Sequence, residues 1–147
     1  MAGVRLELDL RLQGPQRAKL LLQGLPDLSE ALAAVGEHAR SLALDAFEGQ
    51  RSPGGAAWLP SGRALAEGGL TLVDTAILRN ELDVQASARE VAVGSGLEYA
   101  AIHQLGGDAG PRQRRVTLPA RPYLPSSEDL DQDYVATILR EALEGAL

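Results

Sequence analysis

Between Leu28 and Ala46 the apolar residues Leu28, Ala31, Leu32, Val35, Ala39, Leu42, Ala43 and Ala46 recur three and four positions apart. A helix turns residues so spaced onto one side, so the stripe predicts a long amphipathic helix over about residues 28 to 48. Asp27 is placed to cap it, with Glu30 three positions on returning the bond in the manner of a capping box. Gly36 weakens the helix by about 1 kcal/mol relative to Ala. A residue without a side chain also lets a helix approach a sheet closely, and a helix with one apolar stripe needs such a surface to cover it.

The sheet is announced by alternation. Val4, Leu6, Leu8, Leu10 and Leu12 alternate with Arg5, Glu7, Asp9 and Arg11, the period of a half-buried strand. Gly14-Pro15 ends it, and the stretch from Arg17 and Lys19 to Leu22 forms a connecting element of undecided type. Leu82, Val84 and Ala86, then Val91 and Val93, predict two neighbouring strands over 81 to 87 and 90 to 95. Before them Asp74-Thr75 caps a short helical turn carrying Ile77 and Leu78. After them Tyr99-Ala100-Ala101-Ile102 suits one or two helical turns, stopped by Gly106-Gly107.

Residues 49 to 69 are rich in Gly, Pro and Ser and predict a long loop with a short helix around Arg63 to Glu67. Trp58, the one tryptophan of the chain, sits in its middle. An indole of that size is expected to anchor the loop on the body, with contact to a partner as the second reading. Residues 108 to 115 read as a polar, basic loop and Val116 to Leu118 as a brief edge strand, after which Pro119, Pro122 and Pro125 keep the chain extended. Ser126 or Ser127 is expected to cap a last helix whose first turn holds Glu128, Asp129, Asp131 and Asp133, the charge favoured at an amino end. Leu130, Tyr134, Ile138, Leu139 and Leu143 supply its apolar side.

Function classes are narrowed mostly by what the residues cannot do together. With 20 acidic and 14 basic residues the net charge is -6, so direct nucleic-acid binding is not the expected main function, although Arg112, Arg114, Arg115 and Arg121 share one segment. Those arginines and the acidic group from Glu128 to Asp133 form opposite patches able to set orientation between subunits. The chain has no cysteine, which removes disulfides and Cys-ligated metals. His103 has no motif partner at a catalytic spacing, and the chain's one lysine, Lys19, follows neither Gly54-Gly55 nor Gly106-Gly107 as a phosphate loop requires. No catalytic, cofactor or metal site is therefore expected. His103 is read as a structural or interface residue, His38 as ordinary surface, and Arg121 as an internal or subunit-bridging bidentate donor. The amino end is unlike a signal peptide and no stretch suits a bilayer span, so a soluble protein made in the cytoplasm is expected.

Four segments, in order, carry a resemblance: Ser52-Pro53-Gly54-Gly55-Ala56-Ala57-Trp58, Asp74-Thr75-Ala76-Ile77-Leu78, Tyr99-Ala100-Ala101-Ile102-His103-Gln104-Leu105-Gly106 and Pro119-Ala120-Arg121-Pro122-Tyr123-Leu124. Together they resemble the phage virion morphogenesis family, which includes Mu gpG-like proteins and is similar to the tail completion proteins of P2-like phages. Ala76 stands where that family commonly has glycine, so this turn is expected to need no positive backbone angle. Leu105 and Tyr123 stand at two usual phenylalanines, which reduces aromatic packing while keeping both sites large.

At 147 residues the chain fits one domain, residues 1 to 147. The resemblance, which runs from about Leu28 through the final helix, implies an α+β fold, a small antiparallel or mixed sheet packed against the long amphipathic helix and a C-terminal helix. It implies a non-enzymatic structural protein of a tailed phage or prophage, acting in tail completion or head-tail joining. The implied partners are tail or neck proteins and further copies of the chain in a ring, first in the host cytoplasm and then in the virion. Trp58, Asp74, Tyr99, His103, Gln104, Arg112, Arg114, Arg115, Arg121 and Tyr123 are the candidate structural or interface residues. A soluble protein-binding module outside any virion is the alternative, and a small hydrolase built around His103 the third reading.

Overall fold

The computed structural model describes residues 2–6, 24–73 and 76–146, the first of these as backbone alone. Of the first predicted strand, Ala2–Leu6 (β1) falls within them; its continuation to Leu12 and the connecting element beyond it lie outside the described residues. So do Asp74 and Thr75.

A helix, α1, runs from Ser29 to Gly49 and buries Leu32, Val35, Gly36, Ala39, Ala43, Ala46 and Phe47. Its start differs from the expected capping box. Leu28 is the capping position, and Asp27 takes the Ser29 amide at 2.9 Å instead of capping from one residue later. The Leu28 amide is already committed to the Ala88 carbonyl at 3.1 Å, which fixes the entry of the chain and shifts the helix start by one residue. At the other end Gln50 takes a left-handed conformation, φ 54°, the usual way of ending a helix but here without glycine.

Strands β2, Asp83–Ala86, and β3, Val91–Ser95, form the expected hairpin, closed by a hydrogen bond from the Ser87 amide to the Glu90 carbonyl. β1 pairs with the other edge of β3, so three antiparallel strands stand in the order β1-β3-β2. α1 lies across β2 and β3 and also contacts the last helix. Gly36 explains how near it comes: a Cβ there would fall 2.4 Å from Val84 Cγ1 and 2.7 Å from Val91 Cγ2. The glycine that weakens the helix in isolation is what lets it seat on the sheet.

Short elements fill the rest. α2 (Gly62–Glu67) is capped by Ser61, whose hydroxyl accepts from the Ala64 amide at 3.1 Å. α3 (Ile77–Asn80) and α4 (Ala100–Leu105) follow the predicted turns. β4 (Gly107–Ala109) and β5 (Val116–Leu118) form a second, two-stranded antiparallel sheet. The composition of 107–109 predicts a helix stop and loop, since Gly and Asp are poor strand formers; pairing with β5 makes it a strand instead.

The last helix, α5, spans Gln132–Gly145, later than expected. Ser126 does not cap it: the Asp129 carboxylate accepts from both the Ser126 amide (2.7 Å) and hydroxyl (3.0 Å), closing a turn ahead of the helix. Asp131 is the cap, accepting from the Tyr134 amide at 3.0 Å, and Asp133 is the acidic residue of the first turn. Val135, Leu139 and Leu143 are its buried face, with Tyr134 43% exposed. Val135 stands at the centre of that face, since Leu130 is buried in the preceding turn rather than on the helix.

Candidate functional site

Pro119 to Leu124 runs as an extended strap, held by polar groups from Trp58, Ala100, His103 and Gln104 and from the Leu59 carbonyl. The Arg121 amide donates to the His103 carbonyl at 2.8 Å. Gln104 Oε1 accepts from the Tyr123 amide at 2.9 Å and the Leu124 amide at 3.0 Å. A chain bracketed by prolines cannot form a full ladder, and one side-chain oxygen with two lone pairs serves two strap amides in its place. From below, the Tyr123 hydroxyl donates to the Ala100 carbonyl at 3.0 Å. From the opposite side, Trp58 Nε1 donates to the Pro122 carbonyl at 2.9 Å and Arg121 Nε to the Leu59 carbonyl at 2.7 Å.

The strap is seated on an aromatic cluster. Phe47 packs against Trp58 at a ring separation of 5.7 Å, edge to face, and against Tyr123 at 5.2 Å. The chain has one phenylalanine, one tryptophan and three tyrosines, and three of these five rings meet here. Such pairs contribute about 0.5–1.5 kcal/mol beyond the area they bury. Phe47 stands four residues after Ala43 and continues the same stripe, one residue beyond the Leu and Ala spacing that marks the helix.

The turn after α4 brings the strap within backbone contact. Gly106 has φ 72°, and a Cβ there would lie 2.7 Å from the Ala120 amide nitrogen and 2.9 Å from the Leu118 carbonyl oxygen. Both the angle and the clearance call for glycine. Leu105, beside it, is 74% exposed.

The loop carrying Trp58 is itself braced. The Ser52 amide and hydroxyl bond both ends of Ala56, and the Trp58 amide donates to the Gln50 carbonyl at 2.9 Å. Gln50 then clamps Thr71, accepting from its amide at 2.6 Å and donating to its carbonyl at 3.0 Å. Thr71 Oγ1 in turn accepts from the Ser61 amide. Neither Gln50 nor Thr71 offered a sequence signal, since a clamp across 21 residues has no spacing rule.

His38 is also more than ordinary surface. Its Nε2 accepts from the Asp131 amide at 3.0 Å and its ring lies 5.0 Å from that of Tyr134, tying α1 to the start of α5. The accepting nitrogen carries the lone pair, which places the proton on Nδ1.

The remaining predicted residues divide. Tyr99 and His103 are in edge-to-face contact at 5.9 Å, and Tyr99 is 42% exposed. Arg112, Arg114 and Arg115 are exposed in and just after a 3-10 turn between β4 and β5. Among the described residues none of the three forms an ion pair, and the acidic group from Glu128 to Asp133 does not meet them. Electrostatics are most perturbed at the strap. Burial pushes the Tyr123 phenol up to about 12, so it stays a donor. Burial first and the charge of Arg121 second hold the His103 imidazole below its ordinary value, and burial lowers Arg121. Among the described residues no group of three or more His, Cys, Asp or Glu is placed to hold a metal, and no helix is long and apolar enough to cross a membrane.

The pattern of the phage virion morphogenesis family matches residues 13–144. The chain belongs to that family. It is also similar to the Mu-like prophage FluMu G protein 2 of Haemophilus influenzae, with 48% identity over 56 residues, which cover 38% of this chain and 40% of that protein. The chain thus matches less than half the length of that curated relative. No solved structure matches it. Membership of the phage virion morphogenesis family makes this a structural or assembly protein of phage morphogenesis.

Proposed function

We propose that the protein is a non-enzymatic subunit that acts in tail completion or head-tail joining of a tailed phage or prophage, folded as one domain and working by contact with tail or neck proteins. The observation that carries this reading is the use of the motif side chains: Trp58, Gln104 and Tyr123 each bond backbone across the strap. Groups committed in this way hold a shape, and a held shape is what a joint in a particle needs. The likeness to a prophage G protein agrees with it.

Exposed features then become the contacts. Arg112, Arg114 and Arg115 project from the β4–β5 hairpin, while Glu128 and Asp133 stand exposed around the start of α5. Opposite patches separated on one subunit fit a head-to-tail interface, which closes into a ring when the rotation allows. Assembly takes place in the host cytoplasm and ends in the virion.

The test is deletion of the gene from the inducible prophage, followed by electron microscopy of the lysate. The expected result is unjoined heads and incomplete tails, restored by the wild-type gene and not by a variant with Arg112, Arg114 and Arg115 all replaced by serine. Normal infectious particles from the deletion strain contradict the role.

A further inference from the structure

Beside the strap a surface recess of about 310 Å³ is walled by Arg121, His103, Arg63, Tyr99, Leu72 and Ile77 among others. Arg121 is 5% exposed, and among the described residues its guanidinium has one hydrogen bond, from Nε to the Leu59 carbonyl, and no acidic partner. His103 Nδ1 is buried with no hydrogen-bond partner. A buried ring nitrogen without a partner carries a cost that a polar group entering the recess removes. The Arg121 Nη atoms, which border the same recess and are not among the buried partnerless atoms, give that group its sign.

We propose that this recess binds a carboxylate side chain presented by a neighbouring protein subunit, with Arg121 as the residue that holds it. Because Nε is committed to Leu59, the free edge of the guanidinium is the pair of Nη atoms, whose two parallel donors match the two oxygens of a carboxylate. The apolar wall of Leu72, Ile77 and Tyr99 suits the methylene stem of a glutamate, and Ile77 and Tyr99 are 45% and 42% exposed at its edge. The inference names the chemistry of one contact and does not depend on the stage of assembly at which the protein acts.

The test is an NMR titration of the full chain with blocked glutamate, blocked glutamine and inorganic phosphate, following the His103 ring and Arg121 guanidinium signals. Saturable shifts with blocked glutamate, at least tenfold weaker with the other two probes and at least tenfold weaker in Arg121→Lys, are expected. Unmoved signals, or equal response to blocked glutamine, overturn the site. If Arg121→Lys does not fold, the glutamate-glutamine comparison on the wild type decides alone. A response that appears only in Asp74→Asn means that the recess is filled from within the chain, and the proposal falls. A dilution series identifies the donor: if a second copy supplies the carboxylate, Arg121→Lys weakens self-association at least tenfold, whereas a monomer at every concentration that still binds blocked glutamate assigns it to a different subunit.

Discussion

Ala76 has φ 57°, in the left-handed region, where an L side chain is strained. The sequence argued the reverse, since alanine where the family commonly has glycine suggested a turn without a positive angle. The turn is imposed from outside the residue: the Ala76 carbonyl accepts from the Asn80 amide and the Ile77 carbonyl from the Glu81 amide, both at 2.9 Å, so α3 holds the angle whatever side chain is present. Ala76→Gly is therefore expected to raise stability by about 1 kcal/mol, read as a higher urea midpoint at unchanged slope. His103 yields a second expectation. Its folded value lies below the ordinary 6.5, so the folded protein binds fewer protons than the unfolded chain as pH falls through that window. Its contribution to stability is whole above 6.5 and declines as pH drops from there toward the folded value. The melting temperature should fall between pH 7.5 and 5.5, and fall less in His103→Gln; equal slopes contradict the burial of a neutral ring.

Among the elements, those decided by local pattern were readable and those decided by distant bonds were not. The stripe from Leu28 to Ala46 and the alternation around Val84 and Val91 carry their own period, so α1 and the β2–β3 hairpin stood out. The start of α5 did not, because several residues compete to cap it. His38, 93 residues away, takes the Asp131 amide and so selects Asp131 over Ser126 and Ser127. Gly36 joins the two kinds of information. In a lone helix Gly36→Ala gains about 1 kcal/mol of propensity, but here the added methyl meets Val84 and Val91, whose short, stiff side chains yield little. A net loss of about 1–3 kcal/mol is expected, and a stabilised variant would mean that α1 sits farther from the sheet.

Across the whole molecule, the sequence showed which residues matter before it showed why. Trp58, Gln104, Arg121 and Tyr123 were singled out as structural or interface positions, yet only the folded chain brings them to one strap. The anchoring of Trp58, 7% exposed, follows from its size; the choice of the Pro122 carbonyl as its acceptor, 64 residues on, has no local trace. Trp58→Ala should cost about 3–5 kcal/mol and open residues 49 to 69 to limited proteolysis while helix content by circular dichroism changes little. The charged patches were legible as composition, but their failure to meet within the subunit required the fold. The measurement that bears most directly on the strap as the common purpose of these residues is amide hydrogen exchange at Arg121, Tyr123 and Leu124. All three amides are bonded to α4, two of them through the Gln104 side chain, so they should exchange as slowly as those of β3 and lose that protection at Tyr123 and Leu124 in Gln104→Ala. Exchange at the rate of an exposed loop in the wild type would contradict the account.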